Sequence, residues 1–401
     1  MKWGNYMKEL SKLAQAVVAS STLAVDALAK QLKAEGKNVI GFGPGEPDFD
    51  TPETIKEKAI QAIRAGETKY APAAGIMPLR KAIASRLEKD LGVSYDPSQI
   101  VVASGAKHSV YLVLRALINP GDEVIIPSPY WVTYLEATKM VGGVPISIEA
   151  GEAQGFKITA AELEAAITPK TKLLLLNNPS NPTGALYTKE ELRALCEVCV
   201  KHDLYIMADE IYYHLVYEGE FFSVAALSEE IKERTILING VSKSYAMTGW
   251  RVGYSASNAA IAKVISNFVS HSTGSPATMS QIAAVEALEG DQSSVYEMKE
   301  AFQKRRDYIC TRINAIDGVS CLVPQGAFYV MMNLEALIGK TLGEKLIENG
   351  DDFAMAFLNK AEVAVVPGSG FGTPNFVRLS YATSMEQIKE GMDRLEKFLK
   401  G

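Results

Sequence analysis

Gly240-Val241-Ser242-Lys243-Ser244-Tyr245-Ala246-Met247-Thr248-Gly249-Trp250-Arg251-Val252-Gly253 is the stretch from which the fold can be read. The apolar run Thr235-Ile236-Leu237-Ile238 leads into it, and one lysine stands just past that run among small residues. A lysine amine forms a Schiff base with a carbonyl. An arginine eight positions further on offers a planar, bidentate fork to a phosphate. Lysine and arginine in this arrangement point to a phosphorylated aldehyde held covalently at a strand end.

Outward from this stretch, short apolar runs alternate with helical patterns. Val101-Val102-Ala103 precedes a helix-like stretch from His108 to Leu117, and Glu123-Val124-Ile125-Ile126 precedes Tyr134-Leu135-Glu136. Lys172-Leu173-Leu174-Leu175-Leu176 precedes Thr188 to Val200, and Leu204-Tyr205-Ile206-Met207 follows the same rule. Continuous apolar runs suit strands covered on both faces, which predicts an α/β fold with a mostly parallel central sheet. The residues after the runs are chemically conspicuous: Ser104-Gly105-Ala106-Lys107, Ser128-Pro129-Tyr130-Trp131, Asn177 to Gly184, Asp209-Glu210-Ile211-Tyr212 and Ser242-Lys243. Ligands of open α/β sheets bind outside the carboxyl ends of the strands, so five such ends converging on one crevice predict a site.

The chain changes character towards its end. Gly326 to Met332 and Phe376 to Tyr381 read as strands of a smaller α+β lobe, and the helical segment Ala24 to Lys33, before Val39-Ile40-Gly41-Phe42, is expected to pack with it. The expected division is a large domain over 49–290 and a small one built from 1–48 and 291–401.

Composition excludes several classes. The 401 residues are 47% hydrophobic and 22% charged, as in ordinary globular proteins. A net charge of −6 argues against a nucleic-acid surface. No run is long and apolar enough to predict a membrane span, and Met1 to Leu10 has no signal-peptide core. Cys196-Glu197-Val198-Cys199 has metal or redox spacing but falls in an amphipathic helix with no second pair, so buried core cysteines are expected and no metal site. A reducing cytoplasm fits the absence of a disulfide framework.

Taken together, the lysine stretch, Asn181-Pro182-Thr183-Gly184, Asp209-Glu210-Ile211-Tyr212 and Arg378 occur in the order and spacing of a known family. The chain resembles the class I aminotransferases of pyridoxal-phosphate fold type I, and within them the bacterial aspartate aminotransferase subgroup, from about Ser21 to Lys400. The resemblance implies pyridoxal 5'-phosphate as cofactor and a homodimer with shared active sites.

It also implies roles. Lys243 matches the Schiff-base lysine, which as a free amine carries the proton between substrate and cofactor. Asp209 matches the partner of the pyridine nitrogen, and a carboxylate there keeps that nitrogen protonated. Asn181 and Tyr212 match donors to the cofactor's phenolate oxygen. Gly105, Ala106 and Lys107 open a helix whose free N–H groups suit a phosphate, with Ser242 and Arg251 adding side-chain contacts. Tyr70 resembles a tyrosine given to the phosphate by the neighbouring subunit. Trp131 matches the aromatic stacked on the cofactor ring, Arg378 the fork on the substrate α-carboxylate, and Gly45 a glycine whose backbone lies against substrate.

For the second carboxylate of a dicarboxylate substrate the resemblance implies Lys107, assisted by Thr22. This favours aspartate as donor and 2-oxoglutarate as acceptor in a ping-pong cycle. Members that also use prephenate carry an arginine early in the chain; here Leu10-Ser11-Lys12-Leu13 has leucine in its place, so prephenate is not expected. An aromatic aminotransferase or a C–S β-lyase would use the same lysine and aspartate, and the motifs separate these readings poorly. A non-catalytic regulator built on this fold would need an attached DNA-binding module, for which the resemblance leaves no room.

Overall fold

The leucine run shows why the central sheet forms. Leu173 and Leu175 are buried in one cluster and Leu174 and Leu176 in another, because successive side chains of a strand point to opposite faces. Both faces must then be covered, and they are. The computed structural model describes residues 8–18, 21–43 and 45–400, with the backbone alone for 21–26.

The strands, in chain order, are β1 (Ile40–Gly41), β2 (Ile100–Ala103), β3 (Glu123–Ser128), β4 (Val144–Glu149), β5 (Thr171–Asn177), β6 (Tyr205–Asp209), β7 (Thr235–Gly240), β8 (Gly253–Ala256), β9 (Tyr329–Asn333), β10 (Thr341–Leu342), β11 (Lys345–Leu346), β12 (Val363–Ala364), β13 (Val366–Pro367) and β14 (Phe376–Ser380). Seven form one sheet in the order β2-β8-β7-β6-β5-β3-β4. β7, β6, β5, β3 and β4 pair in parallel, and β8 runs antiparallel to both β7 and β2. β2 therefore points the same way as β3 to β7. Helices Ala106–Leu117, Thr133–Met140 and Ala259–His271 cover one face. Helices Met77–Leu91, Thr278–Glu289, Ala160–Ala166 and Lys189–Lys201 cover the other.

β4 and β8 are strands that the apolar runs do not announce. β4 is an edge strand with Pro145 in it and a half-exposed pattern, which suits an edge where a missing N–H costs little. β8 is Gly-Tyr-Ser-Ala, buried without being apolar. Its Gly253 is needed because a Cβ there would lie 2.2 Å from the Ala106 nitrogen.

A second, antiparallel sheet has the order β13-β14-β9. Helices Ser293–Asn314, Gly350–Ala361 and Met385–Lys400 pack on it through a cluster that includes Phe302, Phe353, Phe357, Val377 and Leu379. Ile40 and Phe42 join this cluster, and β1 pairs with β12. Helix Ser21–Ala34 sets Ala29 and Leu32 against Leu358 and Ala364, so it does pack with this lobe. The strand expected from Gly326 begins only at Tyr329, because Ala327 is left-handed at φ 58 and breaks extended backbone.

Cys196 and Cys199 are buried in helix Lys189–Lys201 beside Leu192 and Leu195. Burial in apolar surroundings pushes the Cys199 thiol up to about 12, so it is an inert core residue. Among the described residues no cluster could hold a metal ion, and no helix is long and apolar enough to cross a membrane.

Candidate active site

The parallel strands end on one edge of the sheet, and their next residues meet there. β2 ends at Ala103, before Ser104; β3 at Ser128; β5 at Asn177; β6 at Asp209; β7 at Gly240, before Lys243. Asn177 fixes two of these ends: its side-chain NH2 donates to the Asp209 carbonyl at 2.9 Å, and its Oδ1 accepts the Asn181 N–H at 2.7 Å.

Lys243 donates from Nζ to the Gly45 carbonyl, with the Phe328 ring centroid 5.8 Å from the ammonium. Burial lowers its amine to about 8; Glu46 and Asp209 oppose the drop, and Arg378 and Arg251 add to it. Gly45 has no room for a side chain, since a Cβ would lie 2.9 Å from the Tyr329 hydroxyl.

Asp209 is buried at the end of β6. Desolvation pushes its carboxyl up to about 6, against the Tyr134 hydroxyl, which donates to Oδ2 at 2.7 Å, and the Ile211 N–H, which donates to Oδ1 at 3.3 Å. The carboxylate is thus oriented by two donors, with Lys243 the cation that acts on it. Tyr134 is a site residue that the sequence reading missed. Its one local signal is its place three residues after Trp131, against which its ring stands edge-on at 5.3 Å.

Tyr212 and Tyr329 share a hydrogen bond of 3.0 Å between hydroxyls, and burial raises both phenols, so both keep their protons. Tyr329, also absent from the sequence reading, lies under Arg378, with the guanidinium 4.4 Å from its ring centroid and 5.0 Å from that of Phe371. Arg378, on β14, donates through Nη1 to Asn181 Oδ1 at 3.0 Å and through Nη2 to the Gly43 carbonyl at 2.9 Å. Its Nε is buried with no partner, and among the described residues no carboxylate pairs with it. A buried cation among neutral partners is costly, and an anionic ligand supplies the missing charge.

Gly105 leads into helix Ala106–Leu117 at φ 88, with no side chain capping the helix. The first N–H groups are therefore left for a ligand. A Cβ at Gly105 would lie 2.4 Å from Arg251 Nη2, so the glycine makes room for the guanidinium at the helix start. Arg251 is itself left-handed at φ 55 and donates to the Thr248 carbonyl at 2.7 Å. Ser104, Lys107 and Arg251 line one wall of a cavity of about 620 Å³, with His108, Glu136 and Ser369 also on its lining. Lys107 sits 5.1 Å from the Trp131 ring centroid, and partial burial together with Arg251 lowers its amine. Two cations close to an uncapped helix N-terminus suit an anion such as a phosphate or a carboxylate. Ser242 is buried immediately before Lys243.

Tyr70 stands apart: on the single chain it is fully exposed. The segment before residue 19 reaches the cavity, where Val18 lines it and its N–H donates to Glu136 at 2.9 Å. Leu13, in helix Lys12–Gln15, is exposed. The Thr22 side chain lies outside the described residues.

A strand-end crevice with a half-buried lysine, a buried carboxylate and a helix start open to an anion, within this sheet order, defines a pyridoxal-phosphate-dependent enzyme of fold type I. Residues 37–395 match the family described as aminotransferase class I and II, and the chain belongs to it. It is 48% identical over 396 residues to an aspartate aminotransferase of Bacillus sp. (strain YM-2), spanning 98% of this chain and 100% of that one. The solved aspartate aminotransferase of Rhizobium meliloti superposes with a TM-score of 0.95 at 42% identity, covering 98% and 99% of the two chains. That of Thermus thermophilus with maleate gives 0.92 at 41%, covering 98% and 100%.

Proposed function

We propose that the protein is a transaminase that takes the amino group of L-aspartate and passes it to 2-oxoglutarate in a ping-pong cycle. The observation that carries this reading is Arg378, buried among neutral partners with a free Nε, on the same crevice as the lowered amine of Lys243. A relative of similar sequence is named for aspartate, and a similar structure was solved with the dicarboxylate maleate.

The residues fit pyridoxal phosphate. Gly105 leaves the Arg251 guanidinium room that a Cβ would take, and Lys107 lies near enough to Arg251 for that charge to help lower its amine. Lys243 would hold the aldehyde, Asp209 the ring nitrogen, Asn181 and Tyr212 the ring oxygen, Trp131 the ring face. Gly105, Ala106, Lys107, Ser242 and Arg251 would hold the phosphate, with Tyr70 from a second copy. When bound, the cofactor supplies an electron sink for the pair left when the substrate α C–H bond breaks. The chain's own part is positional and acid–base. Arg378 forks the α-carboxylate, with Asn181 and Gly45 beside it, and so sets the direction of the C–H bond. Lys243, already lowered towards neutrality by burial, takes the α-proton and returns it. Asp209 would favour positive charge at the ring nitrogen, and Tyr134 holds Asp209 in place by donating to its Oδ2. Lys107 faces the distal carboxylate.

The protein is further read as a homodimer of the cytoplasm, with a large domain over 49–290 and a small one from 1–48 and 291–401. A panel of amino donors with 2-oxoglutarate tests the function. Fastest turnover with aspartate supports the reading. Faster turnover of phenylalanine or tyrosine moves it to aromatic donors, and pyruvate released from cystathionine without use of acceptor moves it to a β-lyase.

A further inference from the structure

The loop that carries Lys243 and Arg251 contains two left-handed residues that are not glycine, Ala246 at φ 50 and Arg251 at φ 55. Such conformations are strained for a residue with a side chain and persist only where the surroundings hold them. One residue from a distant part of the chain touches both places. Thr51 donates its hydroxyl proton to the Ala246 carbonyl at 2.7 Å, and its oxygen accepts the Trp250 Nε1 proton at 2.9 Å. The direction is fixed, because an indole N–H can only donate and a carbonyl can only accept. Thr51 therefore bridges the loop just before its second bend and at its first.

Thr51 closes a strap, residues 45–51, that is stitched down along its length. The Gly45 carbonyl accepts from Lys243 Nζ. Glu46 accepts the Thr248 hydroxyl at 2.8 Å. Asp48 accepts from Arg305 Nη1 at 2.6 Å, and that guanidinium lies 5.3 Å from the Phe49 ring centroid. Three of these attachments, at Gly45, Glu46 and Thr51, land on the lysine loop, and only Thr51 joins two loop residues through one hydroxyl.

We infer that Thr51 is a positioning residue, acting through Ala246 and Trp250 to hold Lys243 and Arg251 at the separation that the phosphorylated cofactor requires. This rests on the functional reading above. Thr51 touches neither cofactor nor substrate in this role; it sets how well the loop is formed before either arrives.

The test is the dissociation constant for pyridoxal phosphate of Thr51→Val, Thr51→Ser and Trp250→Phe, with the melting temperature of each cofactor-free protein. Valine keeps the shape and removes both hydrogen bonds; serine keeps both; phenylalanine keeps an aromatic ring at the site and removes one. Thr51→Val should weaken cofactor binding about tenfold, Trp250→Phe severalfold in the same direction, and Thr51→Ser should stay within about twofold of wild type. A merely structural role would lower the melting temperature and leave the constant unchanged. Constants within twofold for both Thr51→Val and Trp250→Phe overturn the inference, and if Thr51→Val does not fold, Trp250→Phe decides. A wild-type protein that does not bind pyridoxal phosphate overturns the functional reading instead.

Discussion

Lys243 is desolvated where its amine meets the Gly45 carbonyl and the Phe328 ring, and that desolvation, helped by Arg378 and Arg251 and opposed by Glu46 and Asp209, lowers its basicity and suits it to its proposed work. Lys243→Ala should keep the melting temperature of the cofactor-free protein within a few degrees and reduce turnover about a thousandfold or more, checked by steady-state assay with aspartate. Lys107→Ala should reduce kcat/KM about tenfold or more for aspartate and glutamate and little for alanine; equal losses would place the ammonium on the phosphate alone. Asp209 gives a pH prediction. Burial holds it at about 6 without cofactor, against about 3.9 in an unfolded chain. Between those values the native state binds the extra proton, so this group's contribution is full below about pH 4 and is lost as pH rises through 6. Cofactor-free Asp209→Asn should therefore gain stability relative to wild type as pH goes from 4 to 6, read from urea midpoints. Ser104, Asp209 and Lys243 could be proposed from the sequence because each follows an apolar run by one to a few positions, whereas Arg378, inside β14, and Tyr70 rest on the family resemblance. Tyr134, Tyr329 and Thr51 were not legible, since their partners lie 75, 117 and 195 positions away and no local pattern encodes such pairs.

At the scale of elements, the proposed phosphate receptor is the uncapped start of helix Ala106–Leu117, set by Gly105 just past the end of β2. Gly105→Ala would put a Cβ against the Arg251 guanidinium and force a left-handed φ on alanine. The strain is of order 1–2 kcal/mol, and the displaced guanidinium should weaken pyridoxal phosphate binding about tenfold or more, measured by equilibrium titration. Affinity unchanged in that variant would mean that the phosphate binds elsewhere. Apart from β4, the parallel strands were legible from their apolar runs, and the helix over Lys189–Lys201 from its amphipathic period; its cap, Thr188 with Glu191, is seen only in the structure. β8 was not legible, because its burial comes from sheet position between β2 and β7 and not from its own hydrophobicity. The two-cysteine spacing reads as a metal motif only until the helix turns both thiols into the core.

On the scale of the whole molecule, the sheet order places all the reactive strand ends on one edge and leaves Tyr70, proposed to serve the site of a second copy, in solvent. Shared sites have a consequence that separate sites lack. Mixed dimers of Lys243→Ala with Tyr70→Phe should recover activity, since one of the two composite sites then has both native residues. No recovery on mixing would mean that each chain completes its own site. That the fold pairs a large sheet with a smaller lobe was legible from the change of strand character near residue 326; how two copies would meet is written in no stretch of one chain. The central claim is that this edge holds pyridoxal phosphate and accepts an amino group from a dicarboxylate. The visible absorption spectrum of the purified protein, before and after aspartate, tests it most directly. A cofactor band that shifts to the shorter wavelength of the amine form on adding aspartate, and returns with 2-oxoglutarate, is the predicted result. A band that ignores aspartate, or no band after incubation with pyridoxal phosphate, would contradict it.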